Sequence, residues 1–241
     1  MLSRAQRSTG GQAAMARGSD RAVATRRATV ATAMLLAVVS LAASPGGRQA
    51  RQLAPPDPDA EAAAIAQIVT AAEVAAWGRA HEDVHALLVA ARMLDEVRTR
   101  PQSGDEPFLT AEALLQEVER MAGGDPAIRA EILRLRTQEK GVRASAFGPG
   151  PIVLVRRVRA RETFGFEIEA RPNEVLRVAA IGDGDTNIDL VLRDRAGTVL
   201  CSDSSMDHYP VCTIVRPRGG PLRIEVVNRG SVWSRVQILT N

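Results

Sequence analysis

The sequence is poor in aromatic residues and in cysteine, and it has almost no lysine. Phe, Tyr and Trp together make up 3% of the 241 residues. That scarcity excludes an extended aromatic platform of the kind glycan-binding surfaces use, and it leaves Tyr209 and Trp233 as the notable rings in the C-terminal half. There are 2 cysteines, Cys201 and Cys212, and no C-x-x-C pair. This excludes a cysteine-built metal site and a disulfide-dense scaffold. Lys140 is the single lysine among 31 basic residues, so cationic chemistry here is arginine chemistry. Long apolar runs are also missing. The uncharged stretch TVATAMLLAVVSLAA covers Thr29 to Ala43, fifteen residues, whereas a membrane-spanning helix needs about twenty.

That short run has a different reading. Six arginines (Arg4, Arg7, Arg17, Arg21, Arg26, Arg27) and one acid, Asp20, precede it, and small residues follow it. A basic segment, a short apolar segment and small residues define a secretory signal peptide over residues 1–44. Cleavage fits after Ala42 or Ser44, and Met15 is an alternative start. TRRATV at 25–30 lacks the apolar residues that follow a twin-arginine pair, which favours general export. Ser44 stands where a lipoprotein needs cysteine. The formal charge of the whole chain is +3. Without residues 1–44 the balance is 25 bases against 27 acids, or −2. The basic pI therefore belongs to the leader and does not indicate nucleic-acid binding. An exported chain with one close cysteine pair predicts a Cys201–Cys212 disulfide, two buried free thiols being the alternative.

After the leader, PGGRQARQLAPPDP (45–58) reads as a flexible tether. Residues 59–140 read as a helical domain. Ile65, Ile68, Val69, Ala72 and Ala76 follow one helical stripe, and Val84, Leu87, Leu88, Ala91 and Leu94 follow another, with Gly78 as the expected break between them. PQSGDEPF (101–108) is a connector. Thr110 is an expected N-cap, and Asp125 with Pro126 opens a further helix. Residues 141–151 form a linker. From 152 to 241 the texture becomes β: about eight short runs separated by turn residues. Phe164, Phe166 and Ile168 oppose Glu167 and Glu169. Ile188, Leu190 and Leu192 oppose Asp189 and Arg193. Leu222, Ile224 and Val226 oppose Arg223 and Glu225. The expected fold is α+β in two segregated parts, a small helical bundle or hairpin followed by an antiparallel jelly-roll-like β-sandwich.

Two stretches, GDGDTNIDLVLRDRAG (182–197) and GGPLRIEVVNRGSVWSRVQILTN (219–241), with the Asp/Ser-rich loop between them, resemble the bacterial pre-peptidase C-terminal domain over about the last 90 residues. The resemblance implies a jelly-roll-like sandwich with an accessory role on secreted hydrolases or in exported proteins. It also implies that calcium or an extended substrate is a possible ligand. No recognisable peptidase domain precedes it here.

Two motifs carry metal chemistry. HEDVH, His81 to His85, has the H-E-x-x-H pattern, in which two imidazoles on one helical face hold zinc and the Glu (here Glu82) polarises the bound water. A zinc peptidase also needs a third ligand, and Glu112, Glu117 and Glu119 are the nearby carboxylates. The extended motif with Gly and a third His is missing, and Asp83 puts a charge between the histidines. The competing expectation is an ordinary helix with half-exposed histidines. In GDGDTNID, Asp183, Asp185, Asn187 and Asp189 alternate, so an extended segment presents four oxygen side chains on one side. Calcium is one reading. The other is a capped Gly/Asp turn entering a strand, because Ile188 replaces the glycine that a calcium loop needs and no Glu closes it. Asp203 and Asp207 are possible additional ligands. Ser204, Ser205 and His208 read as a polar loop, and Arg156, Arg157, Arg159 and Arg161 as a solvated strand edge. The resulting functional expectation is an exported, non-catalytic binding or scaffolding protein, periplasmic or secreted. Its ligand would be a protein or polymer in the envelope or outside the cell, not nucleic acid, and the mature chain would have no membrane span. No cofactor is established by these residues beyond the calcium reading. The rival is a minimal zinc metallopeptidase using His81, Glu82 and His85.

Overall fold

A computed structural model describes residues 57–102, 104–137 and 147–241. The expected leader, most of the tether and most of the linker lie outside the described residues. Among the described residues four helices come first: α1 (Pro58–Ala80), α2 (Val84–Asp95), α3 (Ala111–Met121) and α4 (Pro126–Thr137). Each starts for a local reason. Asp57 accepts hydrogen bonds from the amides of Asp59 and Ala60, with Pro58 preset at the first helical position. Asp83 caps α2 through the amides of His85 and Ala86. Thr110 caps α3 as expected. The Asp125 carboxylate accepts from Ala127 and Ile128 ahead of α4.

The expected break at Gly78 is corrected. Helix α1 runs through it to Ala80. Gly78 is buried, and a Cβ there would lie 3.0 Å from the Ala86 Cβ and 3.1 Å from the Asp83 carbonyl oxygen. Its missing side chain lets the start of α2 fold back closely on α1.

Nine strands follow or interleave: β1 (Arg100–Pro101), β2 (Ile152–Val158), β3 (Thr163–Ala170), β4 (Val175–Gly182), β5 (Ile188–Asp194), β6 (Val199–Asp203), β7 (Val211–Val215), β8 (Gly220–Asn228) and β9 (Ser234–Thr240). Eight of them fall on the expected runs. The ninth, β1, straddles the end of the expected helical pattern and the start of the connector, and pairs in parallel with β2. Two sheets result, with orders β1-β2-β9-β4-β7 and β3-β8-β5-β6. Apart from β1, all pairings are antiparallel.

Alternation along each strand sorts residues into layers. Leu154, Val158, Val178, Ala180, Val236 and Ile238 of the five-stranded sheet pack against Ile188, Leu190, Leu192, Leu222, Ile224 and Val226 of the other. The intervening residues Val153, Val155, Ala179, Ile181 and Leu239 point outward and join Ile65, Ile68, Leu87, Leu114 and Val118 in a second core. The helices therefore form a third layer, on the outside of the five-stranded sheet. Polar ties fix it there. Arg177 donates to the Ala62 carbonyl at 3.0 Å, Asn241 to the Pro58 carbonyl at 3.0 Å, and the Leu109 amide to the Gln237 side chain at 3.2 Å. Arg100 reaches the buried Glu61 at 2.7 Å. The outer face of the four-stranded sheet has no such cover among the described residues. It carries Glu167, Glu169, Arg193, Arg223 and Glu225.

Cys201 and Cys212 are bonded, with a Cα–Cα distance of 5.9 Å. The bridge joins β6, an edge of one sheet, to β7, an edge of the other. It closes one side of the sandwich, and the expected pairing holds.

Candidate functional site

HEDVH does not lie on one helix. His81 is the C-cap of α1, Glu82 sits in the left-handed region at φ 53°, and Asp83 is the N-cap of α2. The pentapeptide is the turn between two helices, so the shared helical face that zinc chemistry needs is interrupted. His81 stacks on the Trp77 indole, with centroids 4.2 Å apart, and its Nδ1 lies 2.8 Å from the Trp77 carbonyl oxygen. The nearby carboxylates are held by arginines: Glu117 by Arg79 at 2.8 Å, Glu112 and Glu119 by Arg136 at 2.8 and 3.4 Å. The turn was readable in principle, since Asp83 ahead of an apolar stripe is an N-cap signal.

One end of the sandwich gathers the residues of greater interest. Four connections meet there: 159–162, 183–187, 204–210 and 229–233. A buried polar network knits them together. Asn228, fully buried, donates through Nδ2 to the Val158 carbonyl at 3.2 Å and the Val232 carbonyl at 2.8 Å. Its Oδ1 accepts from Thr186 Oγ1 at 3.0 Å and from the Gly230 amide at 2.9 Å. Its own amide donates to the Glu162 carbonyl at 3.0 Å. His208 Nδ1 lies 2.6 Å from the Thr186 carbonyl oxygen, which ties the fourth connection in. The Asn228 side chain's hydrogen-bonding capacity is thereby used, as a buried amide requires. Sequence reading passed over it. The signal was a polar residue at position 228, in the inward register set by Leu222, Ile224 and Val226.

The four expected calcium residues lie at this end but are engaged separately. The Asp183 carboxylate accepts from Ser234 Oγ at 2.7 Å and from the Arg235 amide at 2.8 Å. Asp189, buried, is paired with Arg229. Asp185 is exposed. Asn187 donates weakly to Asp189 at 3.5 Å, and its buried Oδ1 has no hydrogen-bond partner. Among the described residues no three His, Cys, Asp or Glu side chains form a metal-holding group. Asp203 and Asp207 serve their own loop. Asp203 accepts from the Ser205 hydroxyl at 2.6 Å and from the Val211 amide at 2.8 Å. Burial pushes the Asp203 carboxyl up, but these hydrogen bonds outweigh it and hold the group below the usual aspartate range. Asp207 accepts from the Tyr209 amide at 2.9 Å. Ser205 and His208 are thus held by different partners, Asp203 and Thr186.

Upon this hydrogen-bonded base stand exposed apolar side chains. Met206 is 94% exposed, Val232 48% and Trp233 46%. The arginine run divides by strand alternation. Arg156 lies over Phe164 on the inner side, with 5.8 Å to the ring centroid. Arg157 lies over Trp233 on the outer side at 4.5 Å. Ordered loops on a stiff scaffold, with exposed apolar tips, are the usual form of a recognition surface.

The described residues thus form an α+β protein with a disulfide-closed β-sandwich whose loop end is tied by buried hydrogen bonds and carries exposed apolar side chains. No known family profile and no curated protein matches the sequence. Among solved structures, the chain is similar to the pre-peptidase C-terminal domain of collagenase from Bacillus anthracis. The two share 6% identity at a TM-score of 0.33, over 37% of this chain and 87% of that one. The Yersinia pseudotuberculosis-derived mitogen matches at 11% identity and a TM-score of 0.32, over 38% of this chain and 85% of that one. PliG, a periplasmic inhibitor of g-type lysozyme from Aeromonas hydrophila, matches at 10% identity and 0.29, over 38% and 86%. No helix among the described residues is long and apolar enough to cross a membrane.

Proposed function

We propose that this is an exported, non-catalytic binding protein that engages its ligand through the loop end of the sandwich. The observation that carries the reading is the Asn228–Thr186–His208 network, which fixes four connections while leaving Met206, Val232 and Trp233 exposed above them. Preorganised loops lose little conformational freedom on binding, so contact made there is converted efficiently into affinity. The disulfide and the leader-like residues 1–44 support export. The use of His81, Ser205 and His208 in structural hydrogen bonds supports a role without catalysis. The ligand on this reading is a protein or polymer of the envelope or the surrounding medium.

Site-directed photo-crosslinking in the native envelope tests this. A crosslinker at Met206 or Val232 should give a discrete adduct, and one at Arg218, in the turn between β7 and β8, should not. Adducts that arise equally from both positions, or from Arg218 alone, remove the loop end as the binding surface.

A further inference from the structure

Strands β2 and β9 run side by side, with Arg157 opposite Arg235. Their outward residues form one face, the face the helices cover farther along. The cover stops at Phe108, whose ring lies 5.1 Å from the Arg235 guanidinium, with Arg235 also donating to the Glu106 carbonyl at 3.1 Å. Beyond that point the same face continues as Arg157 and Trp233, which no other described residues cover. The turn that leads out of β2 adds Arg159 and Arg161. This turn is fixed: the Glu162 amide donates to the Arg159 carbonyl at 3.1 Å, and the Glu162 carboxylate accepts from the Arg159 amide at 2.6 Å. Arg161 is held in the left-handed region at φ 58°, a conformation that non-glycine residues adopt only where the surroundings enforce it. Asn228 holds the carbonyls of Val158, Glu162 and Val232 together, and so sets Trp233 beside Arg157. Among the described residues no carboxylate pairs with the side chain of Arg157, Arg159 or Arg161, whereas Arg193 and Arg223 of the other sheet, and Arg229 just past its β8, are all paired.

We propose that Arg157, Trp233, Arg159 and Arg161 bind carboxylate-bearing sugar units of an acidic glycan. This rests on the binding reading above and names its ligand class. A uronate ring offers an apolar CH face to the half-exposed indole and a carboxylate to the guanidinium beside it. A guanidinium already stacked on an indole is held in place, so little side-chain freedom is lost on contact. One indole suffices here because the arginines supply the remaining contacts. Nucleic acid fits less well. Duplex DNA carries a charge about every 1.7 Å, and at this end that density would meet Asp183, Asp185 and Glu162. A glycan with one charge per ring places its carboxylates more sparsely.

The test uses the full chain carrying Trp77→Phe, so that Trp233 is the sole indole, titrated with sodium polygalacturonate and followed by fluorescence. Fully methyl-esterified polygalacturonate, polyglutamate and a single-stranded oligonucleotide are the comparison probes. The expected result is a saturable change with the uronate polymer and none with its ester. Arg157→Ala, and separately Arg159→Ala with Arg161→Ala, should weaken binding about tenfold or more, while Arg218→Ala leaves it unchanged. Trp233→Ala, read by affinity electrophoresis instead, should do the same. Equal melting temperatures of these variants and the parent would exclude unfolding as the cause. Equal losses in Arg218→Ala would mean general charge attraction and overturn the proposal. So would polyglutamate or oligonucleotide binding as tight as the uronate, or no uronate binding at all. Crosslinked adducts from Met206 or Val232 without uronate binding would remove this ligand class and leave the binding reading standing.

Discussion

The two sheets of the sandwich are built from different sequences because they meet different surroundings. In the five-stranded sheet, β4 and β9 are buried on both faces: Ala179, Ile181 and Leu239 under the helices, Val178, Ala180 and Ile238 against the other sheet. The run VLRVAAIG is accordingly apolar apart from Arg177, and SRVQILT breaks strict alternation with the adjacent buried pair Ile238 and Leu239. In the four-stranded sheet, β3 and β8 alternate, because only one face is covered. Texture therefore reports how many layers a strand contacts, and an outward-facing substitution should cost much in one sheet and little in the other.

The largest effect is expected where this contrast is sharpest. Leu239→Ala removes a fully buried side chain from beneath the helices and should cost about 2–5 kcal/mol. Glu169→Ala, on the open face, should stay within about 0.5 kcal/mol. Urea midpoints at constant m-value decide between them. A small cost at Leu239 would mean that the helices contribute little by packing on the sheet. The next effect acts between the sheets. The Cys201–Cys212 bridge closes a loop with a sequence separation of 11, and its reduction should cost about 3 kcal/mol in the chain-entropy account. Denatured, unreduced protein should show no thiol reactive toward a labelling reagent. Labelling at both cysteines would contradict the bridge.

The same contrast explains what was legible. The clean alternations at 164–169, 188–193 and 222–226 were readable, and all three strands lie in the sheet with an open face. The sandwich and its disulfide followed from local pattern and compartment. The helical layer's position did not follow, because continuous burial of Ala179 and Ile181 shows that something covers a strand without saying what. Parallel β1 was hidden because two residues carry no period. HEDVH carried two signals at once. Its spacing suits a helical face, yet Asp83 caps a new helix, and the two signals conflict unless the chain turns there. At the loop end, the alternating Asp183, Asp185, Asn187 and Asp189 drew attention through oxygen count, while the organising residue, Asn228, was a single amide in an apolar register.

A smaller effect concerns that turn. Asp183, not Asp185, accepts the Ser234 and Arg235 donors. Asp183→Ala should cost about 1 kcal/mol through the lost cap whether or not calcium is present, and Asp185→Ala should cost little. Melting should stay flat in calcium up to about 10 mM, the range that weak extracellular sites require. A calcium-dependent rise that disappears in Asp185→Ala would reverse the assignment. Such a rise amounts to about 2.7 kcal/mol at a hundredfold excess over Kd, and the unpartnered Asn187 Oδ1 would then be the first oxygen to examine.

The finest distinction between the two sides is electrostatic. Glu61, on the buried side of α1, is out of contact with water; desolvation raises its pKa, and Arg100 only partly offsets this. Glu225 lies on the open sheet face; the hydrogen bond from Arg193 lowers its pKa most, against desolvation, and Arg223 adds to the lowering. The signs of the pH dependence follow. Glu225 binds its proton less readily when folded, so it stabilises the fold above the ordinary glutamate pKa of about 4.3, and that contribution is lost as pH falls through its lower folded value. Glu61 binds its proton more readily when folded. Its contribution is fully present below about 4.3 and is lost as pH rises through the raised value. In denaturant titrations, Glu225→Gln should therefore flatten the acid side of the stability profile, below about pH 4.3, and Glu61→Gln should flatten the decline above it. Both effects are expected to be small, under about 1 kcal/mol for the partly exposed arginine pairs of Glu225. If the two variants flattened the same limb, burial would not be what separates the two carboxylates, and the contrast between a covered and an open sheet would fail at the level of charge.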